Sequence, residues 1–366
     1  MKRNANHSLF DKAKQNKNDE FYTLLPDIER ELVHYRDHFR GKTVFCNCDD
    51  PTTSNFFRYF VQNFQILGLK KVIAACFGKP AGDLFTPFKP GFYYEYSGLE
   101  NETPTLADVT YFSGDGDFRS SESVALLRTA DVVVTNPPFS LFREFVAQLV
   151  AHGKKFLVIG NVNAITYKEI FQLIQENKAW MGVNMGRGIS GFRVPDHYEL
   201  YGLETHVNEV GERIVSPNNC MWFTNLDLPS RHEMIPLVRT YSGNEREYPH
   251  FDNCDAINVN RTQNIPMDYD GLMGVPITFL HRFNPEQFKI VRFRKGDDDR
   301  DLSICGKPTY FRILIQKQSS ESKPTKNRHS DSSKITDCHV LSEIAKKSVE
   351  PAIHAASLTI LTKMIT

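Results

Sequence analysis

Neither sign of charge prevails in this chain of 366 residues, since 44 lysines and arginines stand against 44 aspartates and glutamates. That balance excludes a protein that coats nucleic acid through bulk charge. It leaves open an enzyme that grips one short duplex site through a local patch. Cysteine is sparse, seven residues and an odd count, which argues against a disulfide scaffold and for a reducing cytosol. All seven are expected to be structural, with Cys46 and Cys48 on one face of a strand. No Cys-x-x-Cys pair or matching histidine cluster completes a zinc site, so no metal is expected. No apolar run approaches transmembrane length, and Met1-Lys-Arg-Asn-Ala-Asn-His7 lacks the apolar core of a signal peptide. The expectation is a soluble cytoplasmic protein of the bacterial cytosol or nucleoid, with no membrane partner.

What is present is ample apolar material, 40% of residues, for one large α/β domain and a smaller one. Asp27 to Phe39 places Ile28, Leu32, Tyr35 and Phe39 on one helical face. Thr43 to Cys48 reads as a strand, and Ser54 to Leu67 as a helix with Phe56, Phe60 and Phe64 every fourth residue. Val72 to Phe77, Ala107 to Phe112, Val132 to Thr135 and Phe156 to Gly160 read as further strands. Such alternation predicts a mostly parallel sheet covered on both faces. Beyond about residue 180, Gly-, Asn- and Pro-rich segments separate short aromatic strands such as Cys220 to Thr224 and Ile277 to Leu280. These predict an antiparallel edge followed by a loop-rich region. The expected divisions are a catalytic domain over 1–230, a second region over 231–318 packed on it, and a tail over 319–366. Gln316 to Lys334 has the polar composition of a linker, and Ile335 to Thr366 has apolar residues enough for one short helix.

The most informative stretch is Asp131-Val-Val-Val-Thr-Asn-Pro-Pro-Phe139. A short apolar strand stops at two prolines, neither of which can donate to a ladder. Leu141, Phe142, Phe145 and Leu149 then follow at helical spacing, closed by Gly153. Asn136 to Phe139 would thus lie at the carboxyl end of a strand, where ligands collect in open α/β sheets. An exocyclic amino group on a nucleobase is a poor nucleophile, because its lone pair is delocalised into the ring. Two acceptors aimed at its hydrogens, the Asn136 amide oxygen and the Pro137 carbonyl, would localise that lone pair. Pro137 fixes φ and Pro138 biases the residue before it to an extended conformation, so the carbonyl direction is set in advance. Phe139 offers a flat face to a base, worth roughly 1–3 kcal/mol. The plainer alternative is that Pro-Pro ends a strand and Phe139 fills core.

Asn-Pro-Pro-Phe after a hydrophobic strand is the amino-methyltransferase motif of S-adenosylmethionine (AdoMet) enzymes. The longer run Asn136-Pro-Pro-Phe-Ser-Leu-Phe-Arg-Glu-Phe145 resembles the EcoRI-type adenine-specific DNA methyltransferase family. So do Lys17-Asn-Asp-Glu-Phe-Tyr-Thr23 and Val44-Phe-Cys-Asn-Cys-Asp-Asp-Pro-Thr-Thr-Ser-Asn-Phe56. Resemblance continues through Met221-Trp-Phe-Thr-Asn-Leu-Asp227, Ile277-Thr-Phe-Leu280 and Asn284-Pro-Glu-Gln-Phe288 to about Ile315, with the tail outside it. It implies a Rossmann-like AdoMet methyltransferase sheet, mostly parallel with an antiparallel edge, plus a loop-rich C-terminal recognition region. It also implies double-stranded DNA and AdoMet as partners, with no obligate protein partner, so a monomer is expected.

The resemblance carries site residues with it. The first strand delivers Asp49 and Asp50 at its carboxyl end, then Pro51 and the hydroxyls of Thr52, Thr53 and Ser54. An acidic residue here would take the cofactor's ammonium, beside a helix N-terminus capped by a hydroxyl. The Gly-x-Gly common in this turn is missing, and Asp49 and Asp50 stay equal candidates. Thr23 would bind the methionine carboxylate, with Phe21 or Tyr22 walling the pocket, although Thr23 reads equally as a helix-start residue ahead of Pro26. In Gly114-Asp-Gly-Asp-Phe118 the loop position matches contacts to the cofactor's adenine, with Asp117 and Phe118 first and Asp115 second. Aspartates beside glycines also make an ordinary turn.

Three readings follow. The first is transfer of the AdoMet methyl to N6 of an adenine flipped out of a specific DNA duplex, of restriction-modification type. The second is another amino-methyltransferase acting on cytosine N4, RNA guanine N2 or protein glutamine. The third is an inactive DNA-binding relative. Gly186-Arg-Gly-Ile-Ser-Gly-Phe-Arg193, with Arg187 and Arg193, is the candidate DNA-facing loop. Lys70-Lys71, Lys154-Lys155 and Arg292-Phe-Arg-Lys295 are further basic clusters.

Overall fold

A computed structural model describes residues 21–78, 88–184, 188–196, 205–216 and 219–318. Arg187 and the expected tail over 319–366 lie outside the described residues. Four parallel strands form the centre of an eight-stranded sheet: β2 (Thr43–Asn47), β3 (Lys71–Cys76), β6 (Val132–Thr135) and β7 (Lys155–Asn161), in the order β3-β2-β6-β7. Antiparallel strands finish both edges. β4 (Phe92–Tyr96) and β5 (Thr110–Tyr111) lie beyond β3, and β12 (Cys220–Thr224) with β8 (Trp180–Met181) beyond β7.

Side chains alternate across the pleat, so each face of this sheet needs cover. Val44, Cys46, Val72, Val134 and Ile159 face α1 (Leu25–Leu32) and α2 (Asn55–Gln62). Phe45, Ile73, Val133 and Val158 face α3 (Ser121–Thr129), α4 (Phe142–Ala151) and α5 (Lys168–Gln175). Each fully buried Phe or Leu in these layers contributes about 1.5–3 kcal/mol. Ser54 caps α2 by accepting from Phe56 N and Phe57 N at 3.1 and 3.3 Å. Gly153, at φ +62°, closes α4 as its position in the sequence predicts.

Several elements differ from expectation. The helix read over Asp27 to Phe39 begins at Leu25 and tightens to a 3₁₀ helix over Val33–His38, yet Ile28, Leu32, Tyr35 and Phe39 are all fully buried. The helix read over Ser54 to Leu67 breaks at Asn63, which leaves helical geometry and donates its side-chain amide to Tyr59 O at 2.9 Å. β2 ends at Asn47 because Cys48 turns to φ +79°, so Cys46 and Cys48 do not share a strand face. Of Ala107 to Phe112 only Thr110–Tyr111 is strand, exposed and antiparallel. The aromatic strand Phe92–Tyr96 was not anticipated, although Tyr94 and Tyr96 are buried in alternation with Tyr93 and Glu95. Ile277–Arg282 is a 3₁₀ helix, not a strand, because Pro276 ends the strand that precedes it.

The region after residue 231 is less loop-rich than its composition implies. It holds β13 (His250–Phe251), β14 (Cys254–Asn258), β15 (Leu272–Pro276), β16 (Phe288–Phe293) and β19 (Arg312–Lys317) in a sheet of order β13-β14-β15-β19-β16. A small hairpin, β17 (Ser303–Ile304) and β18 (Lys307–Pro308), sits beside it. Ile257, Met273, Phe279 and Ile315 join the apolar cluster that covers α3 to α5. Finally, β1 (Tyr22–Thr23), β9 (Phe192–Arg193), β10 (Thr205–Val207) and β11 (Arg213–Val215) make an antiparallel sheet of order β1-β9-β11-β10. Among the described residues no helix is long and apolar enough to cross a membrane.

Candidate active site

The carboxyl ends of β2 and β6 meet at one pair of side chains. Asp49 Oδ2 lies 2.6 Å from Thr135 Oγ1, which also reaches the carbonyl of Asn47. Ser54 donates its hydroxyl to Asp49 Oδ1 at 2.8 Å while accepting from the first amides of α2. Burial pushes the Asp49 carboxyl up to about 7, the Thr135 and Ser54 hydroxyls pull it down, and neighbouring Asp50 pushes it further up. Asp50 is bonded within its own turn. Its Oδ1 accepts from Thr52 N and Thr52 Oγ1 at 2.8 and 2.7 Å, so it caps the turn that carries buried Pro51.

Asn136 follows Thr135 directly. Its Nδ2 donates to the carbonyl of Phe21 at 2.9 Å. A carbonyl can only accept, so the amide nitrogen must face Phe21 and the oxygen must face away from it. That oxygen is buried and has no hydrogen-bond partner among the described residues. Pro137 is buried, and the Pro138 carbonyl accepts from Leu141 N at 3.0 Å, which fixes the turn ahead of α4. Phe139 is half-buried. Its ring meets Phe21 and Phe192 edge-on, at centroid distances of 5.9 and 6.0 Å, and Phe21 meets Phe192 at 5.8 Å. The three rings form a closed triangle at the margin of the core.

The N-terminal motif reaches the same place. Thr23 is buried, its Oγ1 has no partner among the described residues, and its carbonyl accepts from Asn55 Nδ2 at the start of α2 at 2.9 Å. Tyr22 lies beneath the Arg193 guanidinium, 4.8 Å from ring centroid. The loop after β5 is braced from within. Asp115 Oδ1 accepts from Asp117 N at 3.0 Å, and Gly116, at φ +74°, has no room for a Cβ beside Phe112. The Asp117 carboxylate is held by Arg119, which donates Nε at 2.8 Å and Nη2 at 2.7 Å. Burial opposes its ionisation, but the Arg119 bonds win and the carboxyl sits below its ordinary range. Phe118 is placed in the core against Phe145, 5.2 Å between centroids, and presents no open face.

These residues suit a zwitterionic, cationic cofactor. A buried polar atom left without a partner costs about 1–3 kcal/mol. Thr23 Oγ1 and Asn136 Oδ1 are two such atoms, and Asn136 directly follows Thr135, the partner of Asp49. A cavity of about 560 Å³ near Asp252 and Asp298 lies elsewhere, on β13 and β14. Three of its aspartates are engaged: Asp252 accepts from Gly306 N, Asp298 from Asn253 and Asp297 from Arg292.

Residues 9–349 match the family described as "Adenine-specific methyltransferase EcoRI". The chain is similar to "Type II methyltransferase M.EcoRI" of Escherichia coli, 60% identical over 320 residues, 86% of this chain and 98% of that protein. It is also similar to "Type II methyltransferase M.MpnI" of Mycoplasma pneumoniae, 40% identical over 330 residues, 84% of this chain and 98% of that protein. "Type II methyltransferase M.MgeORF184P" of Mycoplasma genitalium is 39% identical over 328 residues, again 84% and 98%. The chain belongs to the EcoRI-type adenine-specific methyltransferase family. No solved structure matches it at a significant level. The family match runs to residue 349, past Ile315, where the resemblance was expected to end.

Within this family member, Phe21, Thr23, Asp49, Asn136 and Phe139 come together, whereas Asp50 caps a turn and Phe118 is core. Arg187 lies outside the described residues, and Arg193 is engaged with Tyr22 and, at 4.0 Å, with Glu212. Of the other basic clusters, Lys71 and Lys155 begin β3 and β7, at the amino ends of the strands and away from the site, Lys154 donates to the carbonyls of Arg128 and Ala130, and Arg292, Arg294 and Lys295 pair with Asp297 and Asp301. Two residues were missed. Thr135 was legible as a hydroxyl immediately before the motif, but Phe192 stood in a glycine-flanked segment with nothing to link it to Phe139.

Proposed function

We propose that this protein transfers the methyl group of AdoMet to N6 of an adenine flipped out of a specific double-stranded DNA sequence, as the modification enzyme of a restriction-modification pair. The observation that carries the reading is the Asn136 amide, turned by Phe21 so that a buried, unpartnered acceptor is left for an amino hydrogen. The names of the relatives, Type II methyltransferases, support the DNA substrate.

The eight-stranded sheet is read as Rossmann-like, with the cofactor across the ends of β2 and β6. AdoMet, when bound, supplies an activated methyl on a sulfonium centre. Asp49, rather than Asp50, takes the ammonium, because its carboxyl faces β6 while that of Asp50 is spent on the turn. The free hydroxyl of Thr23 donates to the methionine carboxylate, and Phe21 and Tyr22 wall the pocket. Asp115 is favoured over Asp117 for the cofactor's adenine, since Arg119 holds the Asp117 carboxylate. At the target base, Asn136 Oδ1 and the Pro137 carbonyl accept from the two amino hydrogens and draw the lone pair out of the ring. Phe139 stacks on the base, steadied by Phe21 and Phe192. Residues 231–318 form the recognition region, and the enzyme works as a cytoplasmic monomer.

Sequencing of modified bases in DNA from cells that express the protein tests this. N6-methyladenine at one recurring short sequence is expected. Methyl label appearing only in cytosine, RNA or protein contradicts it.

A further inference from the structure

Two carboxylates on the buried side of α1 lie outside the site described so far. Asp27 and Glu31, one helical turn apart, are both 0% exposed. Asp27 Oδ2 accepts from Ser190 N at 2.7 Å and from Ser190 Oγ at 2.8 Å. Arg30, paired with Asp27, also donates to Gly188 O at 3.0 Å. Glu31 accepts from Val183 N at 2.7 Å, Asn184 N at 3.1 Å, Asn184 Nδ2 at 2.8 Å and the Tyr35 hydroxyl at 3.0 Å. One short helix therefore holds residues 183–184 and 188–190 through main-chain groups, reading their direction as well as their position.

The chain they hold leads straight into β9. Thr23 pairs with Phe192 and Tyr22 with Arg193 across β1 and β9, and Phe192 supplies one side of the ring triangle around Phe139. The approach is close on both sides. A Cβ at Gly182 would meet Glu31 Oε1 at 2.3 Å, and one at Gly191 would meet Ile214 Cγ2 at 2.7 Å. Apolar side chains could bury α1 as well as carboxylates do, because desolvating a carboxylate offsets much of what its bonds contribute. What carboxylates add is register, since each accepts from particular N–H and O–H groups. A slip of β9 by one residue would turn Phe192 to the other face and give both Tyr22 and Thr23 new partners.

We propose that Asp27 and Glu31 are positioning residues for methyl transfer: by holding Ser190, Val183 and Asn184 they set the register of β9 on β1, and with it the tilt of Phe139 and the placement of Thr23. The inference rests on the proposed function for its kinetic arm. Neither carboxylate touches the reacting atoms.

The test uses Ser190→Ala, which removes a hydroxyl but keeps the main-chain bond to Asp27, with Ser190→Thr as the conservative control and Glu31→Gln as the second site. Single-turnover methylation of duplex DNA, the thermal midpoint and amide hydrogen exchange of the full-length protein are measured. Ser190→Ala and Glu31→Gln should slow transfer on the order of tenfold, the scale on which small misplacements act. The midpoint should fall by only a few degrees, leaving the protein folded at the assay temperature, Ser190→Thr should restore the rate, and exchange should quicken at residues 21–23 and 192–193 ahead of the sheet core. Unchanged rate and exchange would overturn the proposal. So would a loss of rate that only follows the loss of folded protein. If the unsubstituted enzyme fails to methylate adenine, the proposed function falls, and exchange at β1 and β9 still decides whether the carboxylates set the register.

Discussion

The side-chain amide of Asn136 donates to the main-chain carbonyl of Phe21, 115 residues earlier in the chain, at 2.9 Å. The bond ties the strand-end motif to the N-terminal segment and turns the amide, leaving Oδ1 as the free acceptor. Asn136→Ala should therefore lower methyl transfer by at least about 10²-fold, the typical cost of losing one preorganised group at a developing charge. AdoMet and DNA binding should change little, because the amide acts on the target nitrogen chiefly in the transition state. Single-turnover rates set beside equilibrium binding check this.

Phe139→Ala should slow transfer and weaken the extrahelical state of the base, whereas Phe139→Tyr or Phe139→Trp should keep partial activity because a flat face survives. Fluorescence of 2-aminopurine at the target position reports the extruded base. A drop in thermal midpoint with turnover per folded molecule unchanged would return Phe139 to the role of core filler.

AdoMet affinity should depend on the ionisation of Asp49. Burial raises this carboxyl to about 7 in the ligand-free protein, and an ammonium partner needs the carboxylate. The sign follows: above pH 7 the carboxylate is ready, and below it binding must first expel a proton, so affinity falls as pH falls. From pH 8 to pH 6 the dissociation constant should rise about tenfold, with proton release on binding at the lower pH. Calorimetry in buffers of different ionisation enthalpy measures both, and Asp49→Asn should flatten the profile.

Thr135→Val keeps the shape of the side chain and removes its hydroxyl. Asp49 loses a bond that lowers its pKa, so the midpoint of the affinity profile should move to higher pH. Stability should fall by about 1–3 kcal/mol, because the one hydroxyl proton shared between the Asp49 carboxyl and the buried Asn47 carbonyl is lost. A profile that stays in place would show that Thr135 does not tune Asp49.

What was legible in the sequence follows the range of the forces involved. Strands such as Val132–Thr135 and helix faces such as Ile28, Leu32 and Tyr35 declare themselves by local periodicity. The position of Asn136 follows from the prolines behind it. Asp49 could not be separated from Asp50, because the choice depends on the left-handed turn at Cys48 and on Thr135, a neighbour only across the sheet. Phe192 was hidden for a similar reason. β1 and β9 are two-residue strands, too short to show a period, and they pair only across a long stretch of chain. Phe118 was misleading because an aromatic in an acidic, glycine-rich loop looks available, while here it turns inward onto Phe145.

The most direct test incubates purified protein with methyl-labelled AdoMet and duplex DNA, then digests the DNA and identifies the labelled nucleoside by mass spectrometry. The account predicts label in N6-methyldeoxyadenosine alone, and none when Asn136→Ala replaces the unsubstituted enzyme. Label in N4-methyldeoxycytidine, or undiminished N6-methyldeoxyadenosine from Asn136→Ala, would contradict it.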